Sequence, residues 1–433
     1  MCLFWFRRDL RLHDNAGLYH ALKSGQKVLP FFVFDTDILN KLEDRSDARV
    51  TFIHNAISNL HGELQKLGST LLVKYGKPSE VIKELLQGYE VKGIYLNHDY
   101  EPYARRRDAE IQQLMWDSGL TFNSFKDQVI FEKDEIMTKS GTPYKVYTPY
   151  KNAWLKAFEP EMAQPFSVED ESSRFHPHEK TQVIKLEEMC FKPSAIKVPD
   201  PNLANDTLKR YKDTRNLPAL DATSKISPHL RFGTLSVRQA VKLALKHNDT
   251  WLQELIWREF FMQLLYHFPA SAEESFAPKF RHINWRNNEE EFLRWCEGKT
   301  GFPLVDAGMR ELNTTGFMHN RVRMVVASFL VKDLLIDWRW GEAYFAQKLL
   351  DYEMASNVGN WQWAAGTGAD AQPYFRVFNP DSQVKKFDKE YAYIKRWVPE
   401  YGTSSYPTPM VDHGMARDRA ISTYKLSIAQ TQE

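Results

Sequence analysis

The sequence predicts two folds in one chain: an α/β domain on a doubly wound parallel sheet, followed by a larger all-α domain. Through residues 1–127, short apolar runs alternate with helical patterns, which is typical of parallel strands joined by crossover helices. Over residues 203–433, helical periodicity dominates and few strand patterns remain. Residues 128–202 carry eight prolines and mixed charges, which indicate a long interdomain connection wrapped on the surface.

The N-terminal elements follow one another at the spacing of a parallel sheet with crossover helices. The predicted strands are Cys2–Phe6, Val28–Phe34, Thr70–Val73, Gly93–Asn97 and Thr121–Phe125, and the predicted helices are Ala16–Ser24, Arg49–Leu67, Pro78–Leu86 and Ala104–Ser118. Such sheets bind ligands beyond the carboxyl ends of their strands. The charged run from Arg7 to Arg11 replaces a Gly-x-Gly-x-x-Gly turn after the first strand, which weakens a dinucleotide-dehydrogenase hypothesis. Taken alone, this run is more typical of a solvated, ion-paired loop.

The C-terminal domain is predicted to be helical throughout. Its clearest helical patterns are Leu235–Lys246, Thr250–Tyr266, Glu289–Glu297, Val305–Thr314, Arg321–Leu335 and Gly341–Leu350. The aromatic, basic stretch Gly141–Trp154 of the connection is expected to dock on a domain.

The segment Asp351–Phe378 stands apart from these helices. It combines Trp361 and Trp363 with several glycines and with the acids Asp351 and Glu353, and it matches neither a strand nor an ordinary amphipathic helix. Its glycines permit close approach to a flat ligand, and its indoles offer large polarizable rings. On this segment alone, an aromatic core is an equally good interpretation.

Composition is that of a globular protein, with 43% hydrophobic and 26% charged residues. The three cysteines are widely spaced, which argues against a disulfide framework or a zinc site and suits a reducing compartment. There is no apolar run of transmembrane length and no signal-peptide pattern, so we expect a cytoplasmic protein. A net charge of +1 says nothing by itself about nucleic acid, because a local basic face can hide in a balanced total.

Two helical constellations could contact nucleic acid, and each has a simpler interpretation. Glu254, Trp257 and Arg258 lie on one helix face, which would suit stacking and edge recognition of a flipped base. Without further context, a core tryptophan beside an intrahelical Glu254–Arg258 pair is the favoured interpretation. Asn320 and Met324 lie one turn apart, and between them Arg321 could reach a DNA phosphate while Arg323 could pair with Asp351. A solvated basic helix start is the alternative.

Two further groups remain open at this level. The stretch Thr223-Ser224-Lys225-Ile226-Ser227 precedes a helical pattern, so it could hold phosphate oxygens or form an ordinary N-cap. Trp285, Trp338 and Trp361 are far apart in sequence, and core packing is the default expectation for each of them.

Together, the segments FWFRRDLRLHDN, TSKIS, ELIWREFF, GFPLVDAGMREL, FMHNRVRMVVASFLVKDLLIDWRWGE and ASNVGNWQWAAGTGADAQPYFRVFNP resemble the photolyase/cryptochrome family, in that family's order. The resemblance covers nearly the whole chain and is greatest to the class I cyclobutane pyrimidine dimer photolyases. It implies a Rossmann-like antenna domain over 1–127 and a helical FAD-binding catalytic domain over 203–433.

The resemblance also implies the residues that hold FAD. They are Tyr211, Thr223, Ser224, Lys225, Ile226, Ser227, Trp251, Glu254, Arg258, Arg323, Asp351, Tyr352, Glu353 and Asn357. Among these, Arg323 and Asp351 would pair near the isoalloxazine, and Asn357 would face its N5. Family members usually carry Asp where this chain has Glu353, which is one methylene longer.

The activity implied is light-driven repair of DNA. Excited, reduced FAD would give one electron to a flipped-out cyclobutane dimer, its two bonds would break, and the electron would return. Glu254 would hydrogen-bond the dimer carbonyl, Trp257 and Trp363 would form apolar walls, and Asn320 and Met324 would complete the pocket. The tryptophans Trp285, Trp338 and Trp361 would reduce oxidised flavin by stepwise electron transfer.

Further expectations concern partners and the second chromophore. We expect a monomer that binds UV-damaged DNA through a basic face with Arg321, Lys385, Lys386 and Lys395, and with Lys145 and Lys151 of the connection. Tyr103 and Ala104 stand where folate-binding members have Asn and Glu, so a deazaflavin or FMN is favoured over folate as an antenna. The rival hypotheses are a cryptochrome-like FAD photosensor and, more distantly, a flavin or nicotinamide oxidoreductase.

Overall fold

Two compact units make up the chain in the computed structural model, which describes residues 1–178 and 181–430. The first unit comprises Met1–Glu135, Trp154–Pro201 and Lys225–Lys246. The second comprises Ile136–Ala153, Asn202–Ser224 and His247–Glu433. Each unit is therefore assembled from three separate stretches of the chain, so the units interleave along the sequence.

The first unit contains the predicted parallel sheet. Its strands are β1 (Cys2–Phe6), β2 (Val28–Asp35), β3 (Leu72–Gly76), β4 (Gly93–Asn97) and β5 (Thr121–Phe125), in the order β3-β2-β1-β4-β5. Every residue of β1 and β2 is buried, as expected for central strands of a parallel sheet with both faces covered. The order reverses between β1 and β4, which is where such sheets form a crevice.

The five predicted strands are confirmed, and one of them begins and ends later in the sequence than predicted. Strand β3 begins at Leu72, which pairs with Phe31, two residues after the predicted start. Thr70 lies before the strand, and its hydroxyl is 2.7 Å from that of Thr181. This hydrogen bond satisfies a buried side chain outside the strand ladder.

The helices of the first unit begin at recognisable signals. Asn15 and Asp47 cap two of them through side-chain oxygens, and Pro78 and Pro102 occupy first-turn positions that tolerate proline. The helices are α1 (Ala16–Lys23), α2 (Thr36–Leu39), α3 (Ala48–Lys66), α4 (Pro78–Gly88) and α5 (Pro102–Asp117), with α6 (Tyr147–Ala157) starting in the second unit and ending in the first.

A buried ionic cluster joins residues distant in sequence to the sheet. The guanidinium of Arg238 donates to Asp14 and to Asp127 over 2.6 Å each. Arg11 donates to the second oxygen of Asp127 over 2.7 Å. Because breaking one partner of a buried pair typically costs about 3–5 kcal/mol, this cluster holds residues 225–246 in the first unit.

Helices make up nearly all of the regular structure described in the second unit. They follow the predicted periodicities closely, and Arg321–Leu335 divides into a helix and a π-helical turn, Phe329–Asp333. In chain order the helices after α6 are α7 (Asn205–Thr214), α8 (Ser227–Phe232) and α9 (Val237–His247), of which the last two lie mainly in the first unit, then α10 (Asp249–His267), α11 (Glu289–Cys296), α12 (Pro303–Thr315), α13 (Asn320–Ser328), α14 (Trp338–Lys348), α15 (Met354–Ala365), α16 (Pro380–Phe387), α17 (Ala392–Trp397) and α18 (His413–Gln430).

The segment Asp351–Phe378 is neither a strand nor an ordinary amphipathic helix, as predicted, but its first half forms a buried helix. Helix α15 runs through it for twelve residues and buries Val358, Trp361 and Ala365. The sequence shows little amphipathic pattern here because apolar and small residues occur around most of the helix, as in a helix buried within a core. The second half carries no regular helix until Pro380.

The central core of the second unit is rich in tryptophan. Trp295, Trp338 and Trp361 are fully buried in it, and Trp285 and Trp363 pack against it from partly buried positions. Gly341 allows the close approach of Trp361, because a Cβ at that position would lie 2.1 Å from the indole.

Within residues 1–178 and 181–430, every helix is too short or too polar to span a membrane.

Candidate functional site

Helix α10 carries the first wall of the candidate site. Asn248 caps it by accepting hydrogen bonds from the backbone of Thr250 and Trp251. This fixes the phase of the helix, so that Glu254, Trp257 and Arg258 emerge on one partly exposed face. The predicted common face of these three residues is confirmed. Glu254 and Arg258 form ion pairs with residues outside the helix, while Trp257 contacts Phe260 and Phe261 of α10 as well as a ring from another helix.

Glu254 is paired with an arginine that the sequence did not single out. Arg215, one residue beyond α7, donates to its carboxylate over 2.5 Å. Burial raises the pKa of Glu254, and Arg215 opposes that shift. The carboxyl is therefore held between the ionised form that Arg215 favours and the neutral form that burial favours.

Arg258 likewise forms an ion pair away from its own helix. It donates to Glu353 over 3.2 Å, and both side chains are largely buried. Ser356 adds a 3.1 Å hydrogen bond to the other oxygen of Glu353. The alternative of an intrahelical Glu254–Arg258 pair gives way to two pairs that join α10 to α7 and to α15.

Trp257 is covered on one face by another aromatic ring. Tyr147, the first residue of α6, stacks on it with centroids 3.6 Å apart and planes inclined by 8°. The Tyr147 hydroxyl donates to the carbonyl of Gln253 over 2.8 Å. Residues 141–153 therefore dock on α10, as the aromatic and basic character of the stretch predicts.

Helix α13 begins at the second predicted pair of pocket residues. Asn320 is its first residue and is exposed, and Met324 lies one turn later in a half-buried position. His319 caps the helix by accepting from the backbone N–H of Arg321 over 3.2 Å. Burial and three nearby arginines lower the pKa of His319 to about 4, so its ring is neutral near pH 7.

Arg323 and Asp351 form the ion pair that the sequence suggested. Two parallel hydrogen bonds of 3.1 and 2.9 Å join the guanidinium to the two carboxylate oxygens. A third bond, from Arg323 Nε to the carbonyl of Met318, measures 2.7 Å. This bidentate geometry fixes the planes of both groups, which a lysine could not do.

The start of α15 contributes the remaining predicted ligands. Asn357 is buried, and its amide donates to Glu342 Oε1 over 2.9 Å and to the Glu342 carbonyl over 3.1 Å. Burial raises the pKa of Glu342, which Asn357 and Tyr352 partly offset. The orientation of the Asn357 amide is thus fixed by an acid that the sequence analysis overlooked.

The hydroxyl-rich stretch 223–227 lies where the chain passes from one unit to the other. Thr223 and Ser224 belong to the second unit, where Trp251 Nε1 donates to Ser224 Oγ over 3.2 Å. Lys225 has a left-handed backbone, with φ of 54°, and Ile226 and Ser227 lead into α8 in the first unit. On α7, Tyr211 packs beneath Arg215, 5.4 Å from ring centroid to guanidinium carbon.

The three predicted electron-transfer tryptophans fall in one region of the second unit. Trp338 and Trp361 are buried in the same core, against which Trp285 packs from its partly exposed position. The ring of Trp361 meets those of Trp295 and Phe345, with centroids 6.2 and 5.0 Å apart. Trp285 meets Tyr424 edge to face at 5.9 Å.

The predicted basic residues are found on the second unit. Lys385 and Lys386 are exposed in the last turn of α16, and Lys395 is exposed on α17. Arg321 lies 4.4 Å over the ring of Phe387 and donates to Asn216 over 2.7 Å. Lys145 is exposed and Lys151 is half-buried on the docked segment.

Sequence reasoning missed four residues that orient the predicted ones. No local pattern could reveal Arg215, Tyr147 or Glu342, because their partners lie distant in the chain. His319 was detectable, since a histidine directly before a helix whose first residues are Asn320 and Arg321 is a candidate N-cap and a titratable group.

Comparison with known proteins identifies the family. Residues 2–168 match the family model described as DNA photolyase, and residues 251–404 match the FAD binding domain of DNA photolyase. A deoxyribodipyrimidine photo-lyase from Synechococcus is 36% identical, over 99% of this chain and 98% of that protein. The chain belongs to the DNA photolyase family.

Solved structures agree with this assignment. A class III photolyase from Agrobacterium tumefaciens has a TM-score of 0.86 at 35% identity, covering 98% of this chain and 97% of that one. A Sulfolobus tokodaii photolyase with two FAD molecules has a TM-score of 0.81 at 35% identity, covering 98% and 99%. A cryptochrome from Synechocystis has a TM-score of 0.84 at 27% identity, covering 98% of each chain.

The residues of the second unit suit the FAD that the family implies. Arg323 with Asp351 and Arg258 with Glu353 place two oriented ion pairs on α13, α10 and the start of α15. His319 Nε2 is buried without a hydrogen-bond partner among the described residues. Because Nδ1 accepts a backbone N–H, the neutral ring carries its proton on Nε2, which leaves a buried donor for a polar ligand or water.

Proposed function

We propose that the chain is a light-dependent deoxyribodipyrimidine lyase, which uses reduced FAD to split cyclobutane pyrimidine dimers in UV-damaged DNA. The observation that carries this proposal is the 36% identity to a deoxyribodipyrimidine photo-lyase over essentially the full length of both proteins. Glu254 and Trp257 on α10 and Asn320 and Met324 on α13 support it, because arginines of both helices pair with acids at the start of α15.

The dimer pocket is proposed to lie among α10, α13 and α15. Trp257 and Trp363 supply apolar surface, which attracts a base that has left the stack. Asn320 offers an exposed amide at the start of α13, and Met324 a soft apolar side chain one turn later. Glu254 is proposed to stabilise negative charge on the dimer by donating a hydrogen bond, which requires a protonated carboxyl.

The cofactor residues are proposed to be those implied by the family. When bound, reduced FAD supplies the electron after absorbing light. Arg323 and Asp351 present a rigid planar pair, and Asn357 presents an amide fixed by Glu342. The further cofactor residues are Tyr211, Thr223, Ser224, Lys225, Ile226, Ser227, Trp251, Glu254, Arg258, Tyr352 and Glu353. Trp361, Trp338 and Trp285 are proposed to carry electrons to oxidised flavin.

Several finer proposals accompany this function. Arg321, Lys385 and Lys386 would contact DNA phosphates, which predicts salt-sensitive binding. The limits 1–127, 128–202 and 203–433 are proposed for the antenna domain, connection and catalytic domain, and the protein is proposed to act as a monomer in the cytoplasm. If a second chromophore binds, we propose a flavin or deazaflavin over folate, and the Sulfolobus neighbour with two FAD molecules is consistent with a flavin.

The proposal is tested by following repair directly. Purified protein is reduced, mixed with an oligothymidylate that contains cyclobutane dimers, and illuminated with blue or near-ultraviolet light. Recovery of thymine absorbance in the light and none in the dark is the expected result. A matched sample with an undamaged oligothymidylate controls for photobleaching.

A cryptochrome-like FAD photosensor is the alternative, favoured by the likeness to the Synechocystis cryptochrome. A photosensor of this kind would use the same flavin and tryptophans but would not split pyrimidine dimers. Protein that binds FAD and undergoes photoreduction, yet restores no thymine absorbance, would overturn the lyase in favour of the photosensor.

A further inference from the structure

Tyr147 touches both sides of the proposed dimer pocket, although it belongs to neither α10 nor α15. Its ring lies on Trp257 of α10 at 3.6 Å, and its backbone N–H donates to Asp370 over 3.0 Å. Asp370 follows the end of α15, the helix that carries Trp363. One residue of the docked segment 141–153 therefore contacts elements that hold the two aromatic walls.

The contact with Trp257 is built to hold the indole in one orientation. The planes are inclined by only 8°, and the hydroxyl of Tyr147 is anchored to the carbonyl of Gln253, one turn earlier on α10. Phe260 meets the edge of Tyr147 at 5.9 Å. The ring is buried, so the stack is already complete before any base arrives.

The link to Trp363 runs through a short, pinned loop. The backbone N–H of Thr367 donates to the carbonyl of Gln362 over 3.0 Å, and Asp370 has a left-handed backbone with φ of 48°. The hydrogen bond ties Thr367, three residues before Asp370, to the residue that precedes Trp363. A short stretch of chain therefore connects Asp370 to the end of α15.

We propose that Tyr147 is a specificity-determining, positioning residue: through Trp257 and Asp370 it sets the separation of the two aromatic walls for a dimer of bases instead of a single base. This inference rests on the proposed function. Because stacking on Tyr147 holds the indole of Trp257 in place, the indole cannot move towards a single base. Undamaged nucleotides therefore gain less contact than a dimer does. The same preformed stack spares the cost of ordering Trp257 when the lesion binds.

The test measures binding in the dark, where repair does not occur. Affinity for a dimer-containing oligonucleotide and for its undamaged twin is measured by fluorescence anisotropy with reduced, FAD-loaded protein. Because Tyr147→Leu removes the aromatic stack, we expect it to lower the ratio of the two affinities by about three- to tenfold, which corresponds to about 0.6–1.4 kcal/mol. Tyr147→Phe, which keeps the stack, should keep the ratio within about twofold of the wild type.

Two further variants make the result specific. Tyr144→Leu is the matched control. Tyr144 lies on the same segment, but its ring meets Tyr150 edge to face at 6.2 Å instead of stacking on Trp257, so this variant should leave the ratio unchanged. Asp370→Gly tolerates the left-handed backbone and removes the link to Tyr147, so it should lower the ratio as well. If Tyr147→Leu fails to retain FAD, Asp370→Gly is the variant whose affinity ratio tests the inference. Light-driven turnover at saturating dimer should be the same in Tyr144→Leu as in the wild type.

The outcomes separate this inference from the proposed function. A Tyr147→Leu protein with wild-type discrimination overturns the inference, as does an equal loss of affinity for damaged and undamaged strands. A loss in Tyr147→Phe as large as in Tyr147→Leu would assign the effect to the hydroxyl and overturn the stacking argument. Wild-type protein that shows no preference for dimers would instead overturn the proposed function itself.

Discussion

Arg215 donates to the carboxylate of Glu254 over 2.5 Å, so the acid proposed to contact the dimer carbonyl has an arginine as its partner. An ionised carboxylate can only accept hydrogen bonds, and so can a carbonyl, so the two cannot bond to each other. A productive contact with the dimer therefore needs the neutral acid. Burial raises the pKa of Glu254 and favours that form, while Arg215 acts in the opposite direction.

Glu254→Gln should consequently retain most repair activity, while Glu254→Ala should lose it several-fold with FAD still bound. Glutamine keeps a donor of the same reach and removes the titration. Wild-type repair at limiting dimer should decline as pH rises through the raised pKa of Glu254, and the Gln variant should stay flat over that range. Thymine recovery per absorbed photon is the measurement. A Gln variant as deficient as the Ala variant would contradict the donor role.

Asp351→Asn should release FAD more readily than the wild type. The substitution keeps the size of the side chain but removes the charge that Arg323 meets through two hydrogen bonds. Charge-assisted bonds contribute about 1.5–3 kcal/mol, so the dissociation constant for FAD should rise about tenfold or more. Flavin fluorescence released on dilution measures it. Asp381→Asn, at an exposed position on α16, is the control, and equal flavin loss in both variants would count against the assignment.

The sequence allowed the sheet and most helices to be predicted because their signals are local. Buried runs mark β1 and β2, and the spacing of Glu254, Trp257 and Arg258 marks a helix face. The Arg323–Asp351 ion pair could be predicted only because both residues lie in segments that the sequence already indicated as candidate functional segments.

What could not be predicted depends on partners that lie far along the chain. Tyr147 meets Trp257 across 110 residues, and Arg215 meets Glu254 across 39. The stretch around Tyr147 predicts that it docks on a domain, but no local pattern identifies the partner of either residue. The interleaving of the two units has the same origin, since the Arg238 cluster draws residues 225–246 onto the sheet. Helix α15 escaped notice because burial on most sides erases the amphipathic pattern.

Trp285→Phe should block photoreduction of oxidised flavin and spare repair by protein that has been reduced beforehand. Phenylalanine keeps apolar contact with the core and with Tyr424 but is much harder to oxidise than an indole. Absorbance of the flavin under continuous light with an external thiol follows the first reaction, and thymine recovery follows the second. Trp116→Phe, at an exposed position on α5, is the control. Loss of both reactions together would refute an electron-transfer role for Trp285.

His319 should make the protein less stable as the pH falls from about 6.5 towards 4. Its folded pKa is about 4, lowered by burial and then by Arg323, Arg321 and Arg215, whereas an unfolded histidine titrates near about 6.5. Between these values the unfolded chain binds a proton that the folded chain rejects, so acidification favours unfolding.

The shift corresponds to about 2 kcal/mol at pH 5 relative to pH 7.5. His319→Asn keeps an N-cap acceptor but does not titrate, so its urea midpoint should fall less between these pH values than that of the wild type. Other groups also titrate in this range, and comparing the two proteins removes their common contribution. Identical pH dependence in both would mean that His319 protonates freely in the folded state.

Gly341→Ala should destabilise the second unit by displacing Trp361. An added Cβ would lie 2.1 Å from the indole and 2.6 Å from Leu330, and a buried tryptophan ring cannot give way by rotating its tip. Overpacking of this kind costs about 1–3 kcal/mol, against a gain in helix propensity of at most about 1 kcal/mol. Gly62→Ala, in α3 with open space around it, isolates the propensity term and should raise stability slightly. Thermal unfolding of both variants is the measurement, and a Gly341→Ala protein as stable as Gly62→Ala would contradict the overpacking argument.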